Sequence, residues 1–178
     1  NIYDALSPDE RILLDRDVYF VNRDSVYISE PHISIGKNVH IGPNVVFICT
    51  KETPCIIQHN TIIQPNTIII SSIIGPYCNI GGKIIDSLIL SHSETGPNTE
   101  CTRCQLGNYT IAKHFCYLGD ITTGTHVNFA AGTVTANYDG TNIKNTTYLG
   151  DNVKTGINCC IVPSKKKGGH INCLNRLK

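Results

Sequence analysis

Hydrophobic residues in this chain recur neither at every second residue nor at the 3.6-residue period of a helix, but at every sixth. From Ile35 the chain reads I-G-K-N-V-H, I-G-P-N-V-V and then, after an interruption, I-Q-H-N-T-I, I-Q-P-N-T-I. The leading aliphatics are Ile35, Ile41, Ile57, Ile63 and Ile69, followed by Ile74 and Ile80 after a shorter and a regular step. The beat returns at Leu106, Ala112, Leu118, Thr123, Phe129 and Thr135, and again at Leu149, Thr155 and Ile161. Gly or a small polar residue often follows the aliphatic, as at Gly36, Gly42, Gly75 and Gly119; the fourth position is Asn at 38, 44, 60 and 66. The fifth is small or β-branched, as in Val39, Val45, Thr61 and Thr67. Asn and Gly adopt left-handed backbone angles most cheaply. Each unit therefore reads as a short strand, a tight corner and another short strand. Three units make one triangular coil, and stacked coils bury a column of aliphatics. A β-sandwich is the competing architecture, but its strand spacing is looser and rarely keeps a register of six. The predicted fold is all-β, a parallel β-helix built from hexapeptide repeats.

The ends depart from the beat. Ser7-Pro8-Asp9-Glu10 fits a capping box with Pro at the first helical position, followed by Ile12-Leu13-Leu14, and predicts a short N-terminal helix. Lys165-Lys166-Lys167-Gly168-Gly169 breaks the pattern at the other end. The expected division is an N-terminal segment with a short helix (1–25), the β-helix (26–167) and a C-terminal tail (168–178).

Composition narrows the function. A chain of 178 residues is long enough for one domain with a real core. Its 15 Lys and Arg against 14 Asp and Glu give a net charge of +1, which offers no field for a nucleic-acid backbone. No apolar run approaches the roughly 18 residues that cross a bilayer, and no basic start leads into an apolar stretch, so neither a membrane partner nor a signal peptide is expected. The missing initiator Met suggests a processed product or a piece of a longer protein. Nine cysteines, an odd number, point to a reducing compartment, hence a cytoplasmic location, with most thiols acting as small buried apolar groups. Cys101-Thr-Arg-Cys104 has the spacing of half a zinc site or a redox pair, but only Cys116 follows at a plausible distance. No metal is expected.

Three longer strings are more specific than the repeat: K-H-F-C-Y-L-G-D (113–120), N-F-A-A-G-T-V-T-A-N-Y-D-G (128–140) and L-G-D-N-V-K-T-G (149–156). With the hexapeptides, they resemble the C-terminal acetyltransferase domain of the bacterial bifunctional N-acetylglucosamine-1-phosphate uridylyltransferase/glucosamine-1-phosphate N-acetyltransferase. The resemblance implies a left-handed winding, a homotrimer, and transfer of acetyl from acetyl-CoA to the amine of glucosamine 1-phosphate.

That chemistry needs a base, because an ammonium cannot attack a thioester, and an imidazole can take the proton near neutral pH. By motif position the base is His114. The other six histidines fit no metal-ligand spacing and read as structural. The developing oxyanion needs hydrogen-bond donors. The resemblance places Asn137 and Tyr138 at acetyl-CoA and the reacting amine, and a backbone contact to the cofactor at Ala131. It places Tyr117 and Asn128 at the sugar phosphate or the nucleotide-sugar product, with Lys144 matching a sugar-phosphate lysine if one extra residue is allowed before it. Without the longer strings, Asn137-Tyr138-Asp139-Gly140 would read as a plain turn.

The chain also departs from this family. An Arg-Pro-Gly corner and a G-N-F-V-E-x-K strand, whose Arg and Lys contact the nucleotide sugar, are replaced by T-G-P-N-T-E-C-T-R-C-Q-L-G-N (95–108), in an alignment short by about one coil. Arg103 is the nearby guanidinium available for the anionic substrate. A cofactor-contacting serine falls at Ile157, and the inward positions Thr123, Thr155 and Lys167 are polar. Two further readings follow: a related acyl-CoA transferase with another acceptor, and a β-helix scaffold without catalysis.

Overall fold

The computed structural model describes residues 17–29, 32–138, 140 and 144–163. The expected N-terminal helix, Lys167 and the C-terminal tail lie outside them. The described chain runs through 21 strands of two or three residues each. Such short strands arise because each hexapeptide has only one inward aliphatic and one inward small residue before a corner turns the chain.

The strands form three parallel sheets, the faces of a left-handed triangular β-helix. The first face holds Val18–Phe20, Val39–Ile41, Ile62–Ile63, Asn79–Ile80, Glu94–Thr95 and Ile111–Ala112. The second runs from Tyr27–Ile28 through Val46–Ile48, Ile68–Ile70, Lys83–Ile85, Glu100–Thr102, Tyr117–Gly119 and Val134–Thr135 to Cys160–Ile161. The third holds Ile33–Ile35, Cys55–Ile57, Ile73–Ile74, Leu88–Ile89, Gln105–Leu106, Ile121–Thr123 and Thr147–Leu149. Val18–Phe20 pairs in register with Val39–Ile41, so the first face takes in residues that the repeat pattern assigned to the N-terminal segment.

Pairing joins each coil to the next. Lys83, Glu100, Tyr117 and Val134 lie side by side at 17-residue steps, and shorter coils bring Ile68 beside Lys83. Two excursions lengthen a coil, one at residues 50–54 and one between Asn137 and Thr146, the latter within the step from Thr122 to its partner Tyr148.

The inward column is as the beat predicts: Ile35, Ile41, Ile57, Ile63, Ile69, Ile74, Ile80, Leu106, Leu118, Phe129 and Ile161 are all buried. Between Ile80 and Leu106, where the beat was not apparent, the column continues through Ile84, Ile89, Thr95 and Cys101. Several inward threonines meet their hydrogen-bonding needs between coils, whereas the buried Thr147 Oγ1 has no partner among the described residues. Thr135 Oγ1 accepts from the Gly119 N–H and donates to the Gly119 carbonyl at 2.9 Å, and Thr155 Oγ1 accepts from the Ala130 N–H at 2.9 Å. Buried hydroxyls with backbone partners avoid the cost of an orphaned polar group.

The corners bear out the asparagine reading. Asn38, Asn44, Asn60 and Asn66 have φ of 55–61°, and their amides stack one coil on the next, Asn38 Nδ2 donating to Asn60 Oδ1 at 3.1 Å and Asn44 Nδ2 to Asn66 Oδ1 at 3.2 Å. The corner between the third and first faces carries a ladder of rings, His59, Tyr77, His92, Tyr109 and His126, with centroids 4.6–5.3 Å apart. Seven described cysteines are free thiols, six of them buried in the column. Cys101 and Cys104 meet there, and a hydrogen bond with Cys104 together with burial holds the Cys101 thiol well above its ordinary range. Among the described residues, no three His, Cys, Asp or Glu side chains are grouped to hold a metal ion.

Candidate active site on the second face

The corner between the first and second faces is set by prolines in several early coils, at Pro43, Pro65 and Pro97. Sheet register puts His114, Ala131 and Ile157 at the same corner position in later coils. A proline there donates nothing, so the ladder does not use an N–H at this position. His114 is exposed, and its carbonyl accepts from the Gly132 N–H at 3.1 Å; the Ala131 carbonyl accepts from Asn158 at 2.8 Å. The column of residues singled out for base and cofactor is thus one edge of the helix. Its next member, Ile157, is 64% exposed and places an apolar side chain where a serine was expected.

Tyr117 begins the strand Tyr117–Gly119 and points outward on the second face, beside Glu100 and Val134. It lines an open groove of about 460 Å³ with Lys83, Glu100 and Phe115 among its walls. Lys83 is a cation that the motifs did not reveal. Its signal is the 17-residue spacing from Lys83 through Glu100 to Tyr117.

The opposite corner of the same face holds a polar cluster. Asp86, Arg103, Asp120 and Asn137 recur at 17-residue steps. The Arg103 guanidinium grips Asp120 with two bonds, Nε to Oδ1 at 2.5 Å and Nη2 to Oδ2 at 2.8 Å. Asn137, buried, donates from Nδ2 to Asp120 Oδ2. Gly119 makes the approach possible: a Cβ there would lie 2.6 Å from Asn137 Nδ2 and 2.8 Å from the Tyr117 hydroxyl oxygen. The Arg103 hydrogen bond, aided by Asn137 and by the charge of Lys144, holds the Asp120 carboxyl below its ordinary range. Asn137 also anchors the excursion, its carbonyl accepting from the Asn145 N–H at 2.9 Å, while Tyr138 and Lys144 pair antiparallel across it. Tyr138 is exposed.

The structure therefore gathers Asn137, Arg103 and Lys144 at one corner of the second face, with His114 and Ala131 along the other and Tyr117 on the strand between. It does not bring Asn128 to them. Asn128 bridges Ile111 and Lys154 on the first face, in a separate hollow with Tyr109, His126 and Asn152. The hub of the cluster, Asp120, closes the K-H-F-C-Y-L-G-D string but was not singled out as a site residue.

The chain matches no protein-family model. It is 33% identical over 159 residues to the bifunctional protein GlmU of Cyanothece sp., covering 89% of this chain and 34% of that protein. It is 32% identical over 176 residues to the GlmU of Acaryochloris marina, covering 94% of this chain and 35% of that one. The chain thus spans about a third of the length of these curated relatives. Among solved structures it is similar to the UDP-N-acetylglucosamine O-acyltransferase LpxA of Moraxella catarrhalis, with a TM-score of 0.50 at 19% identity, covering 84% of this chain and 62% of that one. By sequence the chain is a homologue of the C-terminal part of the bifunctional GlmU proteins, and its fold is a hexapeptide-repeat left-handed β-helix.

Proposed function

We propose that the chain is a hexapeptide acyltransferase that moves acetyl from acetyl-CoA to the amine of glucosamine 1-phosphate, a step towards UDP-N-acetylglucosamine, and that it works in the cytoplasm as a homotrimer. The observation that carries this reading is the sharing of one face: His114 and Ala131 mark one edge of the second face and Asn137, Tyr138 and Lys144 the other, with Tyr117 between them. His114 takes the proton the amine must lose to become a nucleophile. Asn137 spends one amide N–H on Asp120 and keeps the other for the oxyanion or the acetyl oxygen. Tyr117 and Lys144 hold the sugar phosphate. The half-buried Ala131 edge, with its backbone N–H outside the ladder, suits the cofactor. Asn128 joins such a site only from a neighbouring copy, which is why the homotrimer is part of the proposal.

A second reading, transfer to another acceptor, is favoured by one observation: two of the donors of Arg103 are committed to Asp120 and not to a phosphate. Free-thiol release from acetyl-CoA tests both. Release dependent on glucosamine 1-phosphate, falling at least about a hundredfold in His114→Ala, is the expected result. Release with other amino sugars only would select the second reading. No release at millimolar substrates, from a chain that sediments as a trimer, would leave the scaffold.

A further inference from the structure

The cluster at the second corner contains a carboxylate that the proposed chemistry does not use directly. The two oxygens of Asp120 are taken by Arg103 and Asn137. An ionised carboxylate only accepts hydrogen bonds, so the Asn137 atom that faces it must be the amide nitrogen. With Arg103 fixing Asp120 in two places, the plane of the Asn137 amide has one orientation, and its second N–H one direction. The backbone reinforces the arrangement: the Asp120 carbonyl accepts from the Thr147 N–H at 2.9 Å and the Asn137 carbonyl from the Asn145 N–H at 2.9 Å. Both bonds tie the far limb of the excursion to the corner.

We propose that Asp120, clamped by Arg103, is a positioning residue that aims the free N–H of Asn137 into the acyl-transfer site and pins the base of the 137–146 excursion. This rests on the acyltransferase reading for its catalytic half. Arg103 then serves the site from behind, as the buttress of Asp120, while Lys83 and Lys144 are the cations left to meet an anionic acceptor. Replacing Asp120 by Asn puts an amide opposite an amide. The new side chain can donate to the Asn137 oxygen as readily as accept from its nitrogen, and the orientation is no longer set.

The test is a double-mutant cycle on the full chain with Asp120→Asn, Asn137→Ala and the pair, together with amide hydrogen exchange at Asn145 and Thr147. In acetyl transfer, Asp120→Asn is expected to lower kcat about ten- to hundredfold, the scale of a small misplacement of a reacting group, with both KM values moving less than about threefold. In the Asn137→Ala background the same change is expected to cost less than about twofold, because the residue acts through Asn137. Additive losses would overturn the positioning role, since a merely structural carboxylate would weaken both backgrounds equally. Exchange at Asn145 is expected to quicken at least about tenfold in Asp120→Asn and in Arg103→Gln, while amides of the Ile68–Ile70 strand stay protected. Should the unmodified chain release no thiol, the acyltransferase reading fails. The exchange data then decide the clamp alone, and unchanged exchange at Asn145 would overturn it. Asp120→Glu, which keeps the charge, provides a variant for the cycle if the amide variant does not fold.

Discussion

Gly119 shows how much a single missing atom can decide. Its strand neighbours Tyr117 and Leu118 are ordinary, yet the space its Cβ would fill belongs to the Asn137 amide and the Tyr117 hydroxyl. Gly119→Ala is expected to push Asn137 off Asp120, costing about 1–3 kcal/mol of stability as overpacking does, with a larger proportional loss in acetyl transfer. Chemical denaturation alongside the thiol assay measures both. Asp120 itself carries an acid-side signature. Its carboxyl is held below the ordinary range by Arg103, then by Asn137, with Lys144 adding its charge. A depressed folded pKa contributes stability above the unfolded value, about 4, and that stability is lost as pH falls through the folded one. The urea midpoints of the unmodified chain and Asp120→Asn are expected to differ most above pH 4 and to converge below it. Equal gaps at pH 3 and pH 6 would contradict the assignment.

The short elements explain what the chain discloses about its own fold. Asparagine at the fourth position of a unit was a readable corner because few residues tolerate positive φ. At Asn66, φ of 61° makes the point testable: Asn66→Ala is expected to cost about 1 kcal/mol and Asn66→Gly to be close to neutral, by thermal unfolding. Tyr77, His92, Arg103, Tyr109, Phe115 and Asp120 occupy the same conformation in later coils, where no composition rule announces a corner. The stretch from Ile80 to Leu106 was opaque for a related reason. The step to Ile84 is short and two of the inward residues, Thr95 and Cys101, are not aliphatic. His114, Ala131 and Asn137 were legible through long motif strings. The link between Arg103 and Asn137 through Asp120 was not, since nothing in the sequence joins the three until sheet pairing sets the 17-residue step.

At the scale of the whole molecule, the chain runs around the axis while the sheet hydrogen bonds run along it. Local order in the sequence is therefore weak, and almost all cohesion lies between residues a coil apart. The same arrangement explains why the site draws on four coils yet stays on one face, and why Asn128, only 14 residues from His114, ends on another. It also makes chain continuity dispensable once folding is done. The excursion at 50–54 is exposed at Lys51 and Glu52, and the coils on its two sides are laced together on all three faces, Val39–Ile41 to Ile62–Ile63, Val46–Ile48 to Ile68–Ile70, and Ile33–Ile35 to Cys55–Ile57. A protease site inserted between Lys51 and Glu52 is expected to yield a nicked molecule whose two fragments co-elute in gel filtration and separate only in denaturant. A wound spool keeps its shape when the thread is cut.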